Sequence, residues 1–140
     1  MAIVGFDFTK LLVERKAPIK GKVNIKNNVS ITKVEKATLS LGASKQAGLK
    51  FSFEFTAVYE PNLGKILIEG EVLDLQNDEK AVDQAVEDWK KDKKVKQEVM
   101  TPLLNSVLSK CNVQALLLSR EINLPSPIPL PKVGMNTGAK

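Results

Sequence analysis

Leu49-Lys-Phe-Ser-Phe-Glu-Phe-Thr-Ala-Val-Tyr59 decides the fold of this 140-residue chain. Successive residues of a strand point to opposite faces. Leu49, Phe51, Phe53, Phe55, Ala57 and Tyr59 therefore share one side, and Lys50, Ser52, Glu54 and Thr56 the other. This is a half-buried strand with one face on a core. Pro61-Asn-Leu-Gly64 supplies turn chemistry. Residues 65–75 return with Ile66, Ile68 and Val72 in register. The segment 49–75 thus reads as an antiparallel hairpin. Gly70, inside the returning strand, marks a bulge or a close backbone approach.

The same period of two runs toward the N-terminus. Val4, Phe6 and Phe8 alternate with Asp7 and Thr9, and apolar Leu11 to Val13 follow. We expect a strand over 2–15, bulged near Leu11. After Pro18 and Gly21, residues 22–31 place Val23, Ile25, Val29 and Ile31 inward and Lys22, Asn24, Lys26, Asn28 and Ser30 outward. Val34, Leu39 and Leu41 extend this strand beyond a bend, and Gly42 to Gly48 reads as a loop.

Past residue 75 the period changes to that of a helix. Asn77 or Asp78 can cap it, with Glu79 and Asp83 near the positive end of its dipole. Val82, Ala85, Val86 and Trp89 form an apolar stripe, and Lys90, Lys91, Lys93, Lys94 and Lys96 follow. Val95, Val99, Leu103, Leu104, Val107, Leu108 and Cys111 continue a helical face. Proline fits the first turn of a helix, so we expect a break near Thr101 and a restart at Pro102. Strands first and helices last give an α+β class: an antiparallel sheet of about four strands, then a long C-terminal helical region. Residues 1–124 read as one domain and 125–140 as a proline-rich extended arm and tail.

Composition narrows the chemistry. The chain has no histidine and one cysteine, Cys111. Ser-His-Asp and Cys-His systems, histidine metal sites and four-cysteine zinc sites are thereby excluded. No P-loop and no G-x-G-x-x-G motif occurs. Asp74, Asp78, Glu79 and Asp83 read as the partners of a helix N-terminus before they read as a cation site. We expect no enzyme, no cofactor, no metal and no small-molecule substrate. A lone cysteine, no leader-like N-terminus and no apolar run long enough to span a bilayer point to a cytoplasmic protein without a membrane partner.

The formal charge is +5, and residues 1–50 carry ten Lys and Arg against three Asp and Glu. Arg15 and Arg120 are the only arginines. Base reading favours the planar arginine fork, so sequence-specific nucleic-acid recognition is not expected, whereas electrostatic attraction to an acidic partner is. Lys20, Lys22, Lys26, Lys33 and Lys36 are the candidate basic contact for RNA phosphates or an acidic protein. Phe51, Phe53, Phe55 and Tyr59 are a candidate apolar groove, or else the core itself. Leu103, Leu104, Val107 and Leu108 are the candidate interface of a homodimer or higher oligomer.

The chain closes on prolines at every second position, Pro125, Pro127, Pro129 and Pro131. Their missing N–H groups fall on one register. This allows an edge strand bonded on one side, or a polyproline II segment laid on an apolar surface. Ile128 and Leu130 are the residues expected to dock.

Several long strands, a long helix, Ser109-Lys110-Cys111, a short helical stretch and then Ile122-Asn123-Leu124-Pro125 together resemble the SecB-like fold. What the resemblance implies is a homo-oligomer that holds unfolded polypeptide without ATP. Export chaperones of that family are acidic, whereas this chain is basic, which points to adaptation toward another partner. The reading is a non-catalytic, homo-oligomeric protein-binding module, an ATP-independent holdase chaperone. The alternative is a basic ribosome- or rRNA-associated factor in translation or stress regulation.

Overall fold

Four strands and two helices follow one another in the computed structural model, which describes residues 2–18, 20–42, 44–75 and 78–128. They are β1 (Ala2–Arg15), β2 (Asn24–Leu41), β3 (Ser44–Glu60), β4 (Gly64–Leu75), α1 (Glu79–Asp92) and α2 (Gln97–Glu121). The strands form one antiparallel sheet in the order β1-β4-β3-β2. The link between β1 and β2 therefore spans one end of the sheet, and these two strands are its edges.

The hairpin read from residues 49–75 is present, with Tyr59 opposite Gly64 and Phe55 opposite Ile68. Its apolar face is the core: Phe51, Phe53, Phe55, Tyr59, Ile66, Ile68 and Val72 are each at most 1% exposed. Phe6 and Phe8 on β1 complete an aromatic cluster with Phe53, at ring-centroid distances of 5.2 and 6.4 Å. Gly70 is the close approach that its position suggested. A Cβ there would lie 2.3 Å from the Asp7 carbonyl oxygen and 2.5 Å from Phe53 Cζ. The expected loop at 42–48 is in fact a tight turn, for β2 and β3 pair down to Leu41 opposite Ser44. A backbone ladder needs no apolar side chains, so the small residues Ala47 and Gly48 join it. Gly42 makes the turn with φ of 63°.

Both helices lie on the same face of the sheet, α1 over β2 and β3, α2 over β4, β3 and β1. Asp78 caps α1 by accepting from the Lys80 N–H at 2.9 Å. Val82 is its fully buried residue. The break between the helices falls at Lys93–Lys96, not at Thr101. Lys93 takes the left-handed conformation, φ 56°, and its N–H meets the Trp89 carbonyl at 2.9 Å. Pro102 is the sixth residue of α2, where it forgoes the bond to the Glu98 carbonyl. Packing outweighs that loss, since Leu103 and Val107, just beyond it, are buried.

The buried stripe of α2 is Leu103, Val107, Cys111, Ala115 and Ser119, one residue in every four. The helix runs unbroken through Ser109-Lys110-Cys111. Burial pushes the Cys111 thiol up to about 12, which keeps it protonated and unreactive. Side chains in the stripe shrink toward the C-terminal end. α2 ends in a Schellman-type cap. Asn123 sits at φ 58°, and the Leu124 N–H reaches the Ser119 carbonyl at 2.9 Å.

Candidate interaction surfaces

The two edges of the sheet are built differently. An edge strand offers unpaired N–H and C=O groups to any passing strand, and stable proteins blunt it with lysines and bulges. β2 has both devices. Lys26, Asn28 and Lys33 are exposed along it. The bulge at Thr32 is pinned by a hydrogen bond from Thr32 Oγ1 to the Ser52 carbonyl at 3.2 Å. β1 has both devices too, bulges at Val4 and Thr9 and the exposed Lys10. It nevertheless exposes aliphatic side chains: Ile3 is 37% exposed, Val4 51% and Leu11 44%.

A second apolar row lies above this edge. Lys110 on α2 reaches over β1, its Nζ 5.1 Å from the centre of the Phe6 ring. Residues three and seven places on share that side of a helix. These are Val113 and Leu117, 60% and 46% exposed. α2 and β1 run toward the same end of the sheet, where Leu124 lies against Gly64 and Gly64 pairs with Arg15. Seven helical residues rise roughly 10 Å, whereas the five strand steps from Phe6 to Leu11 span about 16 Å less what the bulge at Thr9 takes up. Val113 and Leu117 thus form an exposed apolar row on α2, and Ile3, Val4 and Leu11 are exposed along β1. Sequence reading missed Val113 and Leu117. The phase of the Leu103-Val107-Cys111-Ala115 stripe carries the signal, because it leaves both residues on the far side.

The residues singled out from sequence are distributed as follows. Phe51, Phe53, Phe55 and Tyr59 are closed core, each at most 1% exposed. Leu103 and Val107 are buried against the chain's own sheet, which leaves them no surface to offer a second copy, while Leu104 and Leu108 are half-buried. The five lysines do not form one face. The bulge at Thr32 shifts the alternation, so Lys33 lies on the open face beside Glu35, 3.2 Å away. Lys36 faces the helices and bonds Glu79 at 3.0 Å and Asp83 at 3.1 Å. Those two bonds, Glu79 first, raise the Lys36 pKa. Lys26 pairs with Glu60 at 3.5 Å, and Lys20 and Lys22 are exposed in the β1–β2 link. Asp78 is taken by its cap and Asp74 is buried, so the four acidic residues do not converge on a common point.

The described part of the proline segment, up to Ile128, lies on its own protomer. Leu124 and Pro127 are buried, and Ile128 is half-buried. Leu130 lies outside the described residues. Prolines carry no N–H, so the segment is anchored through their carbonyls. The Tyr59 hydroxyl donates to Pro125, and Asn27 Nδ2 donates to Pro127 at 2.8 Å. Burial pushes the Tyr59 phenol up to about 12, so it remains a donor throughout the neutral range. Removing both donors in Tyr59→Phe/Asn27→Ala is expected to cost about 1–3 kcal/mol in urea unfolding, at about 1 kcal/mol per hydrogen bond. It is also expected to open the chain beyond Leu124 to limited proteolysis. Cleavage no faster than in the unaltered chain would show that the two bonds do not hold the arm.

No protein-family model, no curated protein and no solved structure matches this chain.

Proposed function

We propose that the chain is a non-catalytic protein-binding module of SecB-like fold that self-associates through β1 and the outer row of α2 and holds unfolded polypeptide without ATP. One observation carries this reading: Ile3, Val4 and Leu11 on the open edge strand β1, and Val113 and Leu117 on the outer side of α2, are left exposed. Contiguous exposed apolar surface on a soluble domain is characteristic of an interaction site.

Charge supports pairing with a second copy. In an antiparallel two-fold pairing of β1, residue i of one copy faces residue j of the other and the reverse. A register that sets Asp7 opposite Lys10 matches opposite charges twice. The same register sets Phe6 opposite Leu11. The four-strand order with both helices on one face supports the SecB-like reading. The ribosome-associated alternative has less support, because the lysines of β2 are spread over both faces and three of them are ion-paired.

Light scattering during the pairing of size determination with client protection tests the proposal. The unaltered protein is expected to elute as a dimer or larger and to suppress aggregation of a chemically denatured client at a few-fold excess. Leu11→Glu/Leu117→Glu is expected to be monomeric, with the dissociation constant raised about a hundredfold or more, as for charges placed in an apolar contact. A monomeric wild type, or a client that aggregates unchanged at excess protein, would sink the corresponding half of the reading.

A further inference from the structure

The turn between α1 and α2 carries the densest charge in the chain. Lys90, Lys91, Lys93, Lys94 and Lys96 fall within seven positions, interrupted only by Asp92 and Val95. All five are exposed, and none forms an ion pair among the described residues. By contrast Lys26, Lys33, Lys36 and Lys50 on the sheet each have a carboxylate within 3.5 Å. The nearby Asp88 carboxylate instead accepts from Gln84 Nε2 at 2.8 Å.

Beside these lysines opens a notch of about 70 Å³, open to solvent on one side. Its lining is mainly aliphatic, from Leu49, Ala81, Ala85, Val95 and Val99, and Lys96 stands at its edge with Asp88 and Gln84. We propose that this notch docks a short acidic segment of a partner protein, one aliphatic side chain entering the notch and the flanking carboxylates meeting the lysines. The small residues Ala81 and Ala85 leave the space, and the aliphatic lining selects a branched apolar side chain. The unpaired lysines select negative charge on either side of it.

A nucleic acid fits the same surface less well. Stacking of a base needs a free aromatic face, and the ring of Trp89 is already covered by Lys93, whose Nζ lies 5.7 Å from its centre. The only amide in the lining, Gln84, is engaged with Asp88. The notch sits where α1 meets α2 over β3, away from β1, so this proposal stands apart from the self-association reading.

The test is fluorescence anisotropy of a labelled peptide carrying one leucine between runs of Asp and Glu, titrated with the full chain at low salt. Saturable binding is expected, weakening steeply as salt rises. The peptide with alanine in place of leucine is expected to bind about tenfold more weakly or worse. Ala85→Leu, which fills the notch, and Lys94→Glu/Lys96→Glu are each expected to weaken the leucine peptide about tenfold or more at unchanged circular dichroism. The proposal is overturned if no saturable binding occurs or if the leucine and alanine peptides bind equally. It is also overturned if a single-stranded oligonucleotide of the same charge binds as tightly as the leucine peptide.

Discussion

Gly70→Val is expected to lower the stability of this protein by about 3 kcal/mol or more, the upper end of what overpacking costs. The side chain has nowhere to go. Its Cβ alone would fall 2.3 Å from the Asp7 carbonyl oxygen and 2.5 Å from the Phe53 ring. The first of these is backbone, paired across β1 and β4 where Phe8 stands opposite Gly70. Relief requires β1 to move off the sheet, and with it Phe6 and Phe8, which close the aromatic cluster. In a domain of this size the loss corresponds to roughly 10 °C in the thermal midpoint. A midpoint within about 2 °C of the unaltered chain would show that β1 yields without cost.

Phe53→Ala is expected to cost about 3–5 kcal/mol, as for other phenylalanines removed from closed cores. Phe53 is 1% exposed and reaches across Gly70 to the rings of Phe6 and Phe8 on β1. The cavity lies under α2 at the middle of the sheet, where neighbours on three strands are fixed by the ladder and cannot collapse into it. The two substitutions share one space. Removing the ring takes away one of the two clashes at residue 70, so Phe53→Ala/Gly70→Ala should be less destabilised than the sum of the single changes, by about 1 kcal/mol or more. Urea unfolding followed by far-ultraviolet circular dichroism gives all four corners of the cycle. Strict additivity would mean that Gly70 is held only by the Asp7 carbonyl.

The sheet was legible because its signal is local. Phe51, Phe53, Phe55 and Tyr59 show their common face by alternation alone, and the turn at Pro61–Gly64 fixes their partners. Strand pairing at Ala47 and Gly48 was not legible, for a backbone ladder leaves no trace in small side chains. The helix break at Lys93–Lys96 was hidden because no glycine marks it and a lysine takes the left-handed position. Pro102 drew the boundary to itself, since its unfavourable place inside α2 is tolerated only through the burial of Leu103 and Val107. The lysines were grouped by proximity in sequence, and one bulged residue, Thr32, separated them. The exposed apolar residues Ile3, Val4 and Leu11 of β1 and Val113 and Leu117 of α2 lie about a hundred positions apart, which no window on the sequence connects.

The unequal edges of the sheet have a further consequence. An antiparallel sheet with two open edges can add neighbours on both sides without limit, and this is how fibres grow. Both edges carry lysines and bulges, but among the described residues only β1 also exposes large aliphatic side chains, and the proposed pairing uses that edge alone. Under the proposed self-association the sheet then has a valence of one. A copy that joins another through β1 spends its only bond, so association by this route terminates in a closed pair instead of a chain. The same asymmetry predicts where control is lost: straightening β2 by deleting Thr32 would restore the second bond and turn a self-limiting contact into a polymerising one.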